Sequence, residues 1–293
     1  MTSPSNSEFT FNSENYGPIE AWDTSQVTSF NYEINDTSYG LFEHDRPTVD
    51  ETTTINTQSF NYQLRYWNTS NVTNMSKCFK GCEEFNKVTD TWELGELTDS
   101  SSMYEGCEKL TNSIRILEAK NITNTSHMFK GAKLFNQEIF GPIDNFISSC
   151  TKLNNLEGMF ENCDNFNNGN NFNSVTRPIR GFKFSKETSL KNMFNGCKKF
   201  NQTFQNSDDY RLDTSKVTNM SGMFANCEKF TGVGLEFFNV INVTDMSKMF
   251  YNCENLNKNN PYVYPNLNLG WYQNTRNVTT FEQMFVGSGI SQN

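Results

Sequence analysis

The sequence has little histidine, little basic charge and no long apolar run. It holds 2 His among 293 residues, and 24 Lys and Arg against 33 Asp and Glu give a net charge of −9. Because an acidic chain repels a phosphate backbone and no Lys/Arg cluster occurs, nucleic acid is not expected as a partner. No apolar run approaches the roughly 18–20 residues of a membrane span, so direct membrane insertion is not expected.

Signals for targeting and for chemistry are also scarce. The first residues lack the basic and apolar regions of a secretory signal. His44 and His127 have no triad or metal partner nearby in sequence, and neither a Cys-x-x-Cys pair nor a Gly-rich phosphate loop occurs. We therefore expect no catalytic residue, no metal and no cofactor, and a protein that is not an enzyme.

Aromatic residues, by contrast, are abundant, with 26 Phe, 11 Tyr and 4 Trp. Disordered chains are poor in aromatics, so this chain is expected to fold despite a mean hydropathy of −0.67. The phrase Met-Phe-x-x-Cys, or a near copy, recurs along most of the chain. Its aromatic residues are Phe79, Tyr104, Phe129, Phe160, Phe194, Phe224, Phe250 and Phe285. A unit of this kind with occasional insertions predicts a solenoid in which each unit stacks on its neighbour.

Within one unit the apolar spacing predicts a short helix. Met75, Cys78, Phe79 and Cys82 lie at i, i+3, i+4 and i+7, which places them on one helical face. Thr73 precedes this run, and its hydroxyl is predicted to cap the first turn.

The segment before the helix predicts a short strand. Trp67 and Val72 enclose a polar stretch that suits a strand with alternate residues pointing outward. The predicted fold is therefore an α/β solenoid, leucine-rich-repeat-like, with one short parallel strand and one short helix per coil. About eight coils are expected in 67–293, and 1–66 is expected to form a β-rich N-terminal cap with a degenerate repeat.

The cysteines are predicted to be core residues. Six of the 8 cysteines occupy the same position of the unit, and two other units have Ala132 and Ser288 at that position. Replacement of Cys by Ala or Ser is what a small buried site tolerates. Cys78 takes the Met position and Cys150 lies outside the pattern. The alternative is a ladder of disulfides between neighbouring coils, since stacked strands approach the required Cα separation. Equivalent side chains of stacked strands point in the same direction, however, which is a poor geometry for the disulfide dihedral angle of about 90°.

The repeat resembles that of BspA-like leucine-rich-repeat surface proteins. The resemblance rests on Asn68-Thr-Ser-Asn-Val-Thr-Asn-Met-Ser-Lys-Cys-Phe-Lys-Gly-Cys and on Asp213-Thr-Ser-Lys-Val-Thr-Asn-Met-Ser-Gly-Met-Phe-Ala-Asn-Cys. It covers about three quarters of the chain. Similar repeats occur in bacterial and mycoplasma surface lipoproteins, in protists and in large DNA viruses. The resemblance implies a non-enzymatic module, displayed at a surface, for adhesion or protein contact.

The predicted function is a repeat scaffold that binds a protein or a glycan at a cell surface or outside the cell. The alternative is a structural or assembly component of a large virus particle, a capsid-associated protein of the virion. Self-association is left open. The predicted binding residues are outward positions of the strand segment and tyrosines of a Pro- and Tyr-rich insertion: Asn68, Ser70, Glu118, Lys120, Asp213, Ser215, Asn239, Tyr262 and Tyr264.

Overall fold

A computed structural model describes most of the chain and contains only short regular elements. The described residues are 19–34, 36–47, 54–114, 119–139, 151–169, 184, 186–204, 213–257, 269–271 and 274–290. The strands are β1 Asn31–Ile34, β2 Thr37–Gly40, β3 Arg46–Pro47, β4 Thr54–Ile55, β5 Thr188–Ser189 and β6 Val217–Asn219, and the 3-10 helices are Ile19–Ala21 and Leu235–Phe237. β1 pairs with β2 and β3 with β4, both antiparallel, whereas β5 pairs with β6 in parallel. These ranges contain no α-helix.

The predicted α/β solenoid with a helix in each coil is therefore wrong. The segment 75–82, predicted as a helix, is a run of consecutive turns. The backbone N–H groups of Cys78, Lys80 and Cys82 each donate to the carbonyl oxygen three residues earlier, at 3.0 to 3.2 Å. An α-helix would instead join each N–H to the carbonyl four residues earlier.

Two residues of each unit carry a backbone conformation that an α-helix excludes. In the first full unit these are Lys77, with φ 55, and Gly81, with φ 75. Both values lie in the left-handed region, which turns the next peptide away from a helical path. The predicted cap is also wrong, because the Thr73 hydroxyl donates to the carbonyl oxygen of Thr28 at 3.1 Å, in the preceding unit.

Parallel contacts between units lie just beyond the predicted strand segment. The segment from Thr69 to Val72 is a turn, closed by a 3.0 Å bond from the Val72 N–H to the Thr69 carbonyl. Two residues later the chain meets the neighbouring units through parallel bridges. Apart from β5 and β6, these bridges are Ser29–Asn74, Asn74–Asp99, Asp99–Asn124, Asn124–Asn155, Asn155–Ser189, Asn219–Asp245 and Asp245–Thr280. The units are thus held in parallel register by single bridges where continuous strands were predicted.

The core is built around a stack of rings, here named the aromatic column. Consecutive rings are separated by 5.5 to 5.9 Å between centroids and are inclined by 1 to 15°. Such offset stacking adds to the stabilisation that comes from burying the apolar area. The members are Phe42, Phe79, Tyr104, Phe129, Phe160, Phe194, Phe224, Phe250 and Phe285. The predicted core role of the recurring aromatic residue is confirmed for the first seven of its eight occurrences, which are buried, whereas Phe285 is 39% exposed.

A second ring lies beside the column in five of the units. Phe85 stacks on Phe79 at 4.1 Å, and four further pairs of this kind have centroid distances of 4.0 to 4.4 Å. Leu110 and Leu256 take this position in two other units and are fully buried. The site therefore accepts either an aromatic or an aliphatic side chain of similar reach.

The N-terminal segment continues the same stack. Phe42 stacks on Phe79 at 5.5 Å, and Phe60 stacks on Phe42 at 4.2 Å. The Phe42 N–H donates to the Cys78 carbonyl at 2.8 Å, as the corresponding N–H does between later units. The antiparallel β1–β2 hairpin is inserted just before Phe42. The predicted boundary between a cap and the repeats stays a prediction.

Candidate binding surface

Six of the nine predicted binding residues lie within the described residues. Glu118, Tyr262 and Tyr264 lie outside them. The six occupy two repeated positions, two residues apart, and are here named the polar columns. The first column holds Asn68, Asp213 and Asn239, and the second holds Ser70, Lys120 and Ser215.

The first column is formed by local turns. The Asn68 Oδ1 accepts the Ser70 N–H at 3.0 Å and the Ser70 hydroxyl at 2.7 Å. The Asp213 Oδ1 accepts the Ser215 N–H at 2.9 Å, and the Asn239 Oδ1 accepts the N–H two residues on at 3.1 Å. Short Asx side chains close such turns by bonding the backbone two residues later. These residues therefore lie on turns, and the predicted strand face does not exist at this position.

Buried threonines next to the first column connect its turns to the backbone of the next unit. The Thr69 hydroxyl donates to the Glu93 carbonyl at 2.9 Å, and the Thr214 hydroxyl donates to the Asn239 carbonyl at 2.9 Å. Both threonines are 1% exposed. Asn68, Lys120 and Asn239 are exposed on the surface, and Ser70, Asp213 and Ser215 are half-buried. The columns thus offer polar groups to solvent on a backbone that is fixed by bonds between units.

Exposed tyrosines precede the first column and were missed by the sequence reasoning. Tyr62 is 52% exposed and Tyr66 is 77% exposed. The Arg65 guanidinium lies 5.5 Å from the centroid of the Tyr66 ring. The sequence held no signal for the exposure of Tyr62, because it continues the alternation of Phe60 and Leu64, both of which are buried. Amphipathic rings of this kind are enriched at interfaces.

Oppositely charged side chains face each other across neighbouring units. Lys130 Nζ lies 2.9 Å from the Glu161 carboxylate, and Lys80 Nζ lies 3.7 Å from the Glu105 carboxylate. Lys109 with Glu84, Lys191 with Glu157 and Lys198 with Asp164 repeat the arrangement at 3.0 to 3.2 Å. The alternation was also missed. The placement of opposite charges on neighbouring units favours one register of stacking, although each exposed ion pair adds only about 0–1 kcal/mol to the free energy of unfolding.

The cysteines form a buried row beside the aromatic column. The structure describes seven, all buried and unbridged, and Cys150 lies outside the described residues. In six of them the thiol donates to the carbonyl oxygen of the aromatic residue in the preceding unit, at 2.7 to 3.2 Å. Burial raises the pKa of all seven thiols, and raises the pKa of Cys82 and Cys253 to about 12. The prediction of core cysteines is confirmed for these seven, which stay protonated at neutral pH.

The part of the chain that the structure describes also bears on metals and membranes. Its residues include no group of three or more His, Cys, Asp or Glu placed to hold a metal ion. They likewise include no helix with the length and apolar character to cross a bilayer.

Comparison with known proteins finds one family. The family model described as "Mycoplasma protein of unknown function, DUF285" matches residues 41–142 and 154–292, which together make up well over half of the chain. No curated protein and no solved structure matches the chain.

Proposed function

This chain belongs to the DUF285 family of mycoplasma proteins, and on that premise we propose that it is a non-enzymatic repeat scaffold that binds a protein or a glycan at a cell surface. The resemblance of its unit to BspA-like surface proteins supports the surface location. The observation that carries the proposal is the pair of polar columns, in which polar side chains of several units stand at equivalent positions on turns that side-chain hydrogen bonds close.

The polar columns retain hydrogen-bonding groups for a partner. Asn68 and Asn239 use their Oδ1 atoms in local turns, and within the described residues their Nδ2 groups have no recorded acceptor. The exposed Lys120 has no recorded acidic partner there either. Because the Asx turns already fix the Asn68 and Asn239 side chains, a partner that bonds to these two loses little of its binding energy to ordering them.

The exposed tyrosines extend this surface in sequence. Tyr66 lies two residues before Asn68, and the Arg65 guanidinium lies against its ring. An exposed aromatic ring beside a guanidinium suits either the apolar face of a sugar or an aromatic-rich protein surface. We include Tyr62 and Tyr66 in the proposed binding surface for this reason.

The core supports a role without covalent chemistry. Burial raises the pKa of the thiols that the structure describes, so they do not supply a thiolate at neutral pH. Most of the recorded ion pairs join neighbouring units, which is an arrangement that serves stacking. A binding scaffold uses such a core only to hold its outer surface in place.

The test compares the chain with a triple variant, Asn68→Asp, Lys120→Ala and Asn239→Asp, in which Asp keeps the Oδ1 acceptor that closes each turn and removes only the Nδ2 donor. Both are applied to an array of neutral and sialylated oligosaccharides and to a panel of immobilised serum and matrix proteins. We expect the unaltered chain to bind members of either the oligosaccharide array or the protein panel. The triple variant should bind the same members with at least ten-fold lower affinity and should have the same melting temperature. Equal binding by both proteins would show that the columns are not the site.

Location is tested separately. A membrane-impermeant biotin reagent applied to intact cells of the source organism should label the protein. Labelling only after lysis would contradict display at the surface.

A further inference from the structure

Two side chains in the outer segment of a unit join it to the preceding unit. In the first full unit the Asn71 Nδ2 donates to the Ser25 carbonyl at 2.9 Å, and the Thr73 hydroxyl donates to the Thr28 carbonyl at 3.1 Å. The same pair of bonds recurs at 2.6 to 3.1 Å in three later units within the described residues. Stacking of the units therefore fixes the rotamers of these side chains.

Four threonines at this position follow one another from unit to unit and are here named the threonine ladder: Thr28, Thr73, Thr98 and Thr123. The Thr98 and Thr123 hydroxyls donate to the carbonyl oxygen of the preceding member at 2.9 and 3.1 Å. The residues one position after the ladder are joined by parallel bridges, so its members are about 4.8 Å apart. Thr73 and Thr98 are exposed within the stack, with units on both sides of them.

The ladder presents mainly acceptors to a ligand. Thr73, Thr98 and Thr123 each use the hydroxyl hydrogen on a carbonyl, which leaves the lone pairs of the hydroxyl oxygen for a donor. Two residues before Thr73, Asn71 uses its Nδ2 group, and within the described residues its Oδ1 has no recorded donor. Glu96 holds the same position in the next unit, is exposed and has no recorded ion pair there. A ligand must therefore supply hydrogen-bond donors at the spacing of the units.

Three classes of extended polymer differ in how they match this pattern. A polypeptide strand places the side chains of one face roughly 6.6 Å apart, which is out of step with units about 4.8 Å apart. An acidic polysaccharide has fewer donors and is repelled by a chain of net charge −9. An uncharged polysaccharide in the extended β-(1→4) linkage carries hydroxyl donors on every sugar, and each sugar advances the polymer by about the height of one unit.

We propose that the threonine ladder binds an extended, uncharged β-(1→4)-linked polysaccharide that lies along the stack with one sugar on each unit. This ligand belongs to the glycan class of the function proposed above, on which the assignment rests, and the ladder shares no residue with the polar columns. Because bonds between units already fix the ladder side chains, binding loses little free energy to ordering them.

The probes are cello-oligosaccharides and N-acetylated chito-oligosaccharides of two to six sugars, titrated into the full chain by isothermal calorimetry. We expect the affinity for at least one of these series to rise at least ten-fold from the disaccharide to the tetrasaccharide, because four sugars cover the four members of the ladder, and then to level off. Malto-oligosaccharides of equal length are the control ligands. Their α-(1→4) linkage curves the polymer away from a straight ladder, so they should bind at least ten-fold more weakly.

Two double variants separate the hydroxyl groups from the shape of the surface. Thr73→Val with Thr98→Val removes both hydroxyls, while the carbonyl oxygens that they bond still accept the backbone N–H groups of Thr73 and Thr98 at 2.8 Å. This variant should bind the tetrasaccharide at least ten-fold more weakly, and Thr73→Ser with Thr98→Ser should bind it with little change. Thr111→Val is the matched control, because the exposed Thr111 hydroxyl also bonds the preceding unit, at 3.3 Å from the Asn86 Oδ1, but lies outside the ladder.

Absence of a rise in affinity with length, equal binding of the malto-oligosaccharides, or unchanged binding by the Val variant would overturn the proposal. If circular dichroism shows that the Val variant does not fold, the length series and the malto-oligosaccharide control decide. The triple variant of the polar columns should bind the tetrasaccharide as the unaltered chain does. If the polar columns bind a protein or another glycan while no tetrasaccharide binds, the ladder proposal alone fails and the function proposed above stands.

Discussion

Truncation of one ring in the middle of the aromatic column should be strongly destabilising. Phe194 is fully buried, with Phe160 and Phe224 each 5.7 Å away along the column and Phe200 at 4.4 Å beside it. Phe194→Ala removes these three ring contacts and a fourth with Phe166 at 6.1 Å, and leaves a cavity. Such substitutions cost about 3–5 kcal/mol, of which each lost ring pair accounts for roughly 0.5–1.5 kcal/mol. This is a large fraction of the roughly 5–15 kcal/mol by which a domain is stable.

The assay is urea unfolding followed by far-ultraviolet circular dichroism and by tryptophan fluorescence. Coincident transitions from both probes would justify a single free energy of unfolding. Phe237→Ala is the control, because its 41% exposed ring should give a change within about 0.5 kcal/mol. If Phe194→Ala and Phe237→Ala reduced stability equally, the column would not be the main support of the stack.

A second pair of variants tests whether filling the site matters more than aromaticity. Leu110 and Leu256 occupy the position of Phe200 in other units. Phe200→Leu should therefore retain more than half of the stability that Phe200→Ala loses. A Leu variant as unstable as the Ala variant would show that ring stacking, and not filled volume, dominates there.

Three further outcomes are expected. In native protein at pH 8, iodoacetamide should leave the seven buried cysteines unlabelled until urea is added; peptide mapping that finds Cys107 or Cys197 labelled without urea would contradict this burial. Burial raises the pKa of Cys82 from 9.0 to about 12 in the folded protein. The protonated thiol therefore contributes its full share of the free energy of unfolding below pH 9, and this contribution is lost as the pH rises from 9 to 12 because only the unfolded chain ionises readily there. Across that range the unaltered chain should lose about 1.4 kcal/mol per pH unit more than Cys82→Ala in urea titrations, and parallel curves would refute the assignment. Lys130→Glu places an acid between Glu105 and Glu161, and should lower stability by about 0.5–1 kcal/mol, an effect that shrinks in about 1 M salt. Lys216→Glu, at an exposed position without a recorded ion pair, should be neutral by the same assay, and equal losses would argue against the register role.

The core could be predicted from the sequence because burial follows the side-chain pattern. Met75, Cys78, Phe79 and Cys82 all have 0% exposure, as their recurrence in each unit indicated. Small residues at the cysteine position also predicted a tight site. The segments that match the family model cover the repeats.

The helix was predicted wrongly because two structures share one side-chain pattern. Residues at i, i+3, i+4 and i+7 face one way on an α-helix, and they also face one way on successive turns. A signal against the helix was present at the position of Gly81, which holds only Gly or Asn. Its occupants are Gly81, Gly106, Gly131, Asn162, Gly196, Asn226, Asn252 and Gly287, all with positive φ. Gly and Asn are the residues that adopt the left-handed conformation most readily.

The sequence by itself determined which side chains are buried and that the units repeat, because both depend on the order of apolar and polar residues. Only the tertiary structure decided where the backbone N–H groups donate. A single unit could satisfy them within a helix, but stacked units offer a carbonyl oxygen from the neighbouring unit, as from Asp99 to Met75 at 2.9 Å. That choice depends on packing between segments some 25 residues or more apart, which no local window of sequence contains. It also sets the turns that carry the polar columns.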